Sequence, residues 1–242
     1  MSSGVYAALS ASIAKMQSLE VTTNNLANAN THGFKRDRHE FEALFRDATQ
    51  NLAGKGINFV RIQKNVTDFT QSETVATDNP LDLAIEGEGF FKLQRDGRFY
   101  FSRRGSFERS AEGHLVNASG WKVVDEKNQP IAVPDPKTLS IDERGNMFGS
   151  EGEAGVIPLF TVDELSELRK EGDGSFTSPP GVQMRRVDQP RILQKRLEAS
   201  NVQPLQEMAR MIESLRTFEA YQKVLKTYGN LASKADELGS VG

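Results

Sequence analysis

Two pairs of acidic residues, Glu86 and Glu88 around Gly87 and Asp142 beside Glu143, are of the type that could share general acid and base work. Such chemistry needs one carboxyl group whose pKa is raised by burial and a partner at a fixed separation. Both pairs lie in glycine-rich turns, where carboxylates are solvated, and no cleft is legible around them. The stretch "IEGEGFF" also contains a Gly-x-Gly after a strand-like run. It lacks the third glycine, the lysine and the following helix of a phosphate loop, and Glu86 and Glu88 would repel a phosphate. His32, His39 and His114 do not stand at a spacing that puts two ligands on one helix face. No G-x-S-x-G, H-E-x-x-H or Walker pattern occurs, so no catalytic, metal or cofactor residues are expected. The short basic pairs Arg103/Arg104 and Arg185/Arg186 read as solvated faces.

Composition closes off other classes. The 242 residues carry 30 Lys plus Arg against 33 Asp plus Glu, a net charge of -3 that offers no footprint for nucleic acid. Cysteine is absent, which removes disulfides and thiolate metal sites. Hydrophobic residues make up 37%, and the mean hydropathy of -0.51 implies a modest core. No run of about 18 apolar residues exists, so the chain is not expected to be membrane-embedded. The opening "MSSGVYAALSASIAKMQ" lacks the charged and apolar regions of a cleaved signal, so any export would need another route.

The elements come next. Val5, Leu9, Ile13, Met16, Leu19 and Leu26 recur at helical spacing and predict a helix of about 25 residues with one apolar stripe. "NNLANANTHGFK" ends it: Asn30 and Gly33 suit a left-handed cap, and Phe34 can fold back onto the last turn. Asn24, Asn25 and Asn28 would form a row of amides on the helix surface, suited to packing against another polar helix. From Asn201 onward Leu205, Met208, Ile212, Leu215, Phe218, Leu225 and Tyr228 predict a second long helix, with Pro204 in its first turn. Between them, residues 81 to 160 alternate apolar runs with turn signals such as Asp96-Gly97, predicting antiparallel hairpins. Residues 163 to 190 read as a polar surface excursion with a short helix at "VDELSELRK".

The expected fold class is therefore α+β: long N- and C-terminal helices pairing as a coiled-coil stem, with an inserted antiparallel β-rich domain. The expected divisions are 1–32 for the first helix, 33–75 for an extended connecting arm, 76–190 for the β domain and 191–242 for the second helix. Stems of this kind that meet head to tail without closing build helical filaments.

"NNLANANTHGFKR" resembles the signature of the bacterial flagellar axial proteins, the rod and hook group. "NPLDLAIEGEGFF", "SRRGSFERSAEGHLVNASGWKV" and "LEASNVQPLQEMARMIESLRTFEAYQKVLKT" are similar to further family blocks, in family order, and together cover most of the chain. The length and "QPIAVPDPKTLSIDERGNMF" resemble proximal-rod more than distal-rod members. His32 and the ending "FEAYQKVLKTYGN" depart from the usual pattern, which bears on rod position rather than on family. The resemblance implies a structural rod subunit with no enzymatic activity and no cofactor. It also implies an inner tube of terminal helices with the β domain outside, a channel, and assembly with copies of itself and other rod proteins. Export would pass through the flagellar type III apparatus, without a cleaved signal, into the periplasmic rod. The expected subunit interface comprises Val5, Leu9, Ile13, Met16, Asn24, Asn25, Leu26, Asn28, Gly33 and Phe34 from the first helix and its cap. From the second it comprises Leu205, Met208, Ile212, Leu215, Phe218 and Leu225. Other classes remain open at this point: a cell-wall-cleaving enzyme associated with the rod, which peptidoglycan release would reveal, and a helical export chaperone, against which the β insertion argues.

Overall fold

The long apolar-polar repeats at the two ends become helices, α1 (Ser3–Ala27) and α2 (Pro204–Gly239), of 25 and 36 residues. Pro204 opens α2, where its missing N–H would have had no partner in any case. The computed structural model describes the backbone of residues 3–45 and 58–239, which form an α+β chain with the β-rich part between the helices. Two compact units divide it. The first comprises Met1–Ala27, Asp37–Val66 and Gln203–Gly242; the second comprises Asn28–Arg36 and Thr67–Val202.

In the first unit α1 and α2 pack together and run antiparallel. The backbone of Gly4 lies against the Tyr228 hydroxyl, Ser12 Oγ accepts from Gln222 Nε2, and Asn25 faces Glu207. The expected arm contains two strands, β1 (Asp37–Phe45) and β2 (Asn58–Thr67), paired as a small sheet. Residues 46–57 of that arm lie outside the described residues.

The second unit holds short strands. Here β3 (Thr74–Ala76) pairs with Arg196–Glu198, and β4 (Leu83–Ile85) pairs with Ile192–Gln194, both antiparallel. The unit therefore extends past the expected 76–190 on both sides. β5 (Phe90–Arg95) and β6 (Arg98–Ser102) form a hairpin at the centre of a nine-stranded sheet. Asp96 and Gly97 close it with φ of 50° and 74°, the two positive values that a tight hairpin turn requires. The predicted excursion at 163–190 instead joins this sheet: Ser175–Thr177 pairs with β6, and Phe176 is fully buried. "VDELSELRK" supplies only a single 3-10 turn, Leu165–Glu167, before a strand resumes.

Successive residues of a strand face opposite ways, so adjacent Phe90 and Phe91 enter different cores. Phe91 and Leu93 pack with Leu83, Ile85, Phe107, Met147, Ile157 and Leu159. Phe90 packs with Phe101, Phe160 and Phe176. A run that is apolar without alternation marks a strand covered on both faces, which is why "GFF" reads as continuous rather than amphipathic.

Candidate assembly site

The helix pairing sorts side chains in a way that one apolar stripe does not anticipate. On α1 the buried residues include Ala8 and Ser12, one turn apart, and Thr22 and Asn25, one turn apart. On α2 the row Glu207, Met211, Ser214, Phe218, Tyr221, Leu225, Tyr228 steps four and three alternately. Glu207 and Ser214 are buried in it. Small and polar groups thus occupy the helix contact, where they permit close approach of the backbones. On α1 and the first turns of α2, several large residues stay outside. Leu9, Ile13 and Met16 each expose 45–46% of their surface, and Leu205 exposes 82%, with Met208, Ile212 and Leu215 exposed beside it. Val5 and Leu26 are half-buried. The stripe expected on α2 is two stripes: Leu205 to Leu215 lie on an outward row, whereas Phe218, Leu225 and Tyr228 belong to the row facing α1.

The amide row divides as well. Asn25 is only 2% exposed. Its Oδ1 accepts the Asp37 N–H at 3.0 Å and its Nδ2 donates to the Asp37 carbonyl at 2.9 Å, with the Glu207 carboxylate 3.5 Å away. Glu207 in turn accepts from Arg210 at 2.8 Å. Asn25 therefore holds the start of β1 inside its own protomer. Asn24 is exposed and Asn28 half-buried, the latter accepting the Thr31 hydroxyl and N–H on its side-chain and backbone oxygens.

The rest of the signature is built into the second unit. Gly33, not Asn30, adopts the left-handed conformation, at φ 68°. A Cβ there would stand 2.6 Å from the Arg103 carbonyl carbon and the Arg104 nitrogen, so only glycine fits. Its N–H donates to the Glu198 carbonyl at 2.7 Å. Phe34, expected to fold back onto the helix, is buried in this unit with Lys170 Nζ 3.9 Å from its ring centroid. Lys35 is fully buried. Its ammonium donates to Glu198 Oε1 at 2.7 Å and to the Thr70 carbonyl at 2.8 Å. Burial lowers its pKa, against the opposing pull of the Glu198 charge and hydrogen bond.

Around this pair the chain knots its own segments together. The Ser72 N–H donates to Glu198 Oε1. Asn201 accepts the Arg36 N–H at 2.7 Å and donates to the carbonyls of Asp68 and Thr70. Arg36 Nε and Nη2 both donate to Asp68 Oδ2, at 3.1 and 2.9 Å. Burial would raise the Asp68 pKa, but the Thr70 hydroxyl and N–H and the Arg36 guanidinium hold it at about 2. Arg103 corrects the solvated-face reading: it is 5% exposed, with Nε 3.8 Å from Glu198 Oε2, while Arg104 pairs with Asp173. Arg185 and Arg186 are exposed as expected. Sequence reasoning missed Lys35, Arg103, Glu198 and Asn201 as a set, because nothing in their spacing announces that they meet.

The acidic pairs have structural partners. Asp142 accepts the Arg144 and Asn146 N–H groups and so fixes its turn, while Arg191 bridges Glu86 at 3.0 Å and Glu143 at 3.6 Å. Among the described residues no cluster of His, Asp and Glu could hold a metal, and no helix is long and apolar enough to cross a membrane.

Comparison of the sequence with known proteins matches the chain to one group. Residues 5–35 match the family described as flagella basal body rod protein. Residues 84–149 match the flagellar hook protein FlgE/F/G D1 domain, and residues 193–238 the flagellar basal body rod FlgEFG protein C-terminal family. The chain is 33% identical to the flagellar basal-body rod protein FlgF of Caulobacter vibrioides, covering 100% of both chains. It is 30% identical to FlgG of Agrobacterium fabrum, covering 91% of this chain and 93% of that one. With FlgF of Escherichia coli K12 the identity is 29%, covering 100% of both. These relatives are structural rod proteins, and the chain is not an enzyme, which sets aside the wall-cleaving alternative. The chain belongs to the flagellar basal-body rod protein family.

Proposed function

We propose that the chain is a rod subunit that polymerises helically through its terminal helices, forming the torque-transmitting driveshaft around an export channel. The observation that supports this reading is the exposed apolar row of each helix. Leu9, Ile13 and Met16 on α1 and Leu205, Met208 and Ile212 on α2 remain uncovered after the helices have packed on each other. Exposed apolar groups in register mark a surface that gains by being buried against a neighbour. The four-three row from Glu207 to Tyr228 supports a coiled-coil stem within each subunit. Full-length similarity to FlgF relatives favours a proximal-rod position, with a FlgG-like distal position as the second reading. In this reading the subunit leaves the cytoplasm through the type III export apparatus without signal cleavage and works in the periplasmic part of the basal body.

Replacing Leu9, Ile13 and Met16 together by serine tests the assembly reading. The monomer should keep its fold and its export, and cells should lack rods and motility. Wild-type swimming would refute assembly through this row. Labelled basal bodies imaged by cryo-electron microscopy would separate the proximal from the distal position.

A further inference from the structure

Two of the six methionines stand in the uncovered apolar rows of the terminal helices, one in each row. Met16 exposes 46% of its surface, one turn after Ile13, and Met208 exposes 47%, between Leu205 and Ile212 at helical spacing. Met147, by contrast, is fully buried in the main core of the β-rich unit. Met184 and Met211 are half-buried. Met211 lies only three residues beyond Met208, but in the row that faces α1. Exposure governs which sulfur a dissolved oxidant reaches, so Met16 and Met208 are the open ones.

Oxidation changes what these two rows can do. A thioether is flexible and apolar and packs well against aliphatic neighbours. A sulfoxide carries a polar oxygen, and burying that oxygen without a hydrogen-bond donor is unfavourable. Leu9 and Ile13 before Met16, and Leu205 and Ile212 around Met208, have side chains with no donor to offer. A row oxidised at its methionine therefore loses much of its gain on being covered by a neighbour.

On the reading that these rows are the assembly surface, we propose that Met16 and Met208 are oxidation sites through which a peroxide stops an unassembled subunit from joining. A lone pair on sulfur attacks one oxygen of hydrogen peroxide. The S–O bond forms as the O–O bond breaks, and the departing oxygen leaves as water with the proton of its former partner. Sulfur loses two electrons, and the peroxide is reduced by two. Methionine sulfoxide reductases return the side chain to the thioether, so the block is reversible. Subunits already joined through these rows shield both sulfurs, which confines the effect to the stage before assembly.

The purified full chain is first treated with hydrogen peroxide and sampled over time by peptide mass spectrometry. Met16 and Met208 should gain oxygen about tenfold faster than Met147, because susceptibility follows exposure. Equal rates at the three sites would overturn the proposal. In cells lacking the gene, expression is then switched on with and without sublethal peroxide, and each strain's rod count with peroxide is divided by its own count without. This ratio should fall severalfold lower for the wild type than for the Met16→Leu, Met208→Leu double variant, whereas Met184→Leu should follow the wild type. Equal ratios for wild type and double variant, or protection by Met184→Leu, would overturn the proposal and leave assembly through the rows standing. Isolated basal bodies treated with the same peroxide should show Met16 and Met208 protected. Oxidation there as fast as in the monomer would remove the assembly reading, and this proposal with it.

Discussion

Lys35 Nζ lies 2.7 Å from Glu198 Oε1, and neither side chain exposes any surface to water. The pair joins residues 163 positions apart in sequence. Removing one partner of such a pair leaves an uncompensated buried charge, at a cost of about 3–5 kcal/mol. The two ends are not equivalent, because Arg103 stands 3.8 Å from the same carboxylate. Lys35→Met leaves Glu198 with Arg103, whereas Glu198→Gln leaves two buried cations without the buried carboxylate between them. Urea denaturation should show the larger loss for Glu198→Gln. The reverse order would mean that Arg103 does not share the charge.

Gly33→Ala should be far more damaging than Asn30→Ala. The left-handed backbone alone costs about 1–2 kcal/mol for a residue with a Cβ, and the contact with the Arg103 carbonyl group adds to it. Asn30 has no positive φ, so its replacement removes no conformational advantage. Melting temperatures of the two variants should differ clearly, with Asn30→Ala close to wild type.

Asn25→Ala removes both hydrogen bonds between the buried Asn25 amide and the Asp37 backbone, and one contact with Glu207. A loss of about 1–3 kcal/mol is expected in the isolated monomer. Thr23→Ala, on the exposed side of the same helix, should stay within about 0.5 kcal/mol. An unchanged monomer for Asn25→Ala would return Asn25 to the subunit interface.

Asp68 makes stability depend on acid. Its folded pKa of about 2 lies below the ordinary value of 3.8, so the folded state favours the ionised form. That contribution is complete above the ordinary pKa and disappears as pH falls from about 4 towards about 2. Denaturation free energy measured across this window should fall more gently for Asp68→Asn than for wild type. Parallel slopes would assign the acid sensitivity to other groups.

A fragment of residues 67–202 should unfold cooperatively, and a fragment of 76–190 should not. The shorter piece strips β4 of its partner Ile192–Gln194 and β3 of its partner Arg196–Glu198. It also loses Ile192 from the main core. Calorimetry on both fragments distinguishes these boundaries, and a cooperative transition in the shorter one would favour the narrower domain.

By itself the sequence determined the two terminal helices, the glycine stop after the first, the hairpin turn at Asp96-Gly97 and the absence of a catalytic pattern. Each is a local property: helical period, backbone conformation and turn chemistry act over a few residues and leave their mark in order along the chain. The signature segment also carried the family, through its resemblance to the axial proteins. Tertiary structure decided which face of each helix is inside. Leu9 and Ser12 both lie on a regular helix, and hydrophobicity alone assigns Leu9 to the core. Close helix approach instead selects Ser12 and leaves Leu9 outside. It decided likewise that Arg103 is buried and Arg185 exposed, although both begin an Arg-Arg pair. The difference arises from Glu198 and the Gly87 carbonyl, which chain folding brings to Arg103 from far along the sequence. Such long-range meetings depend on the path of the backbone, and no periodicity records them.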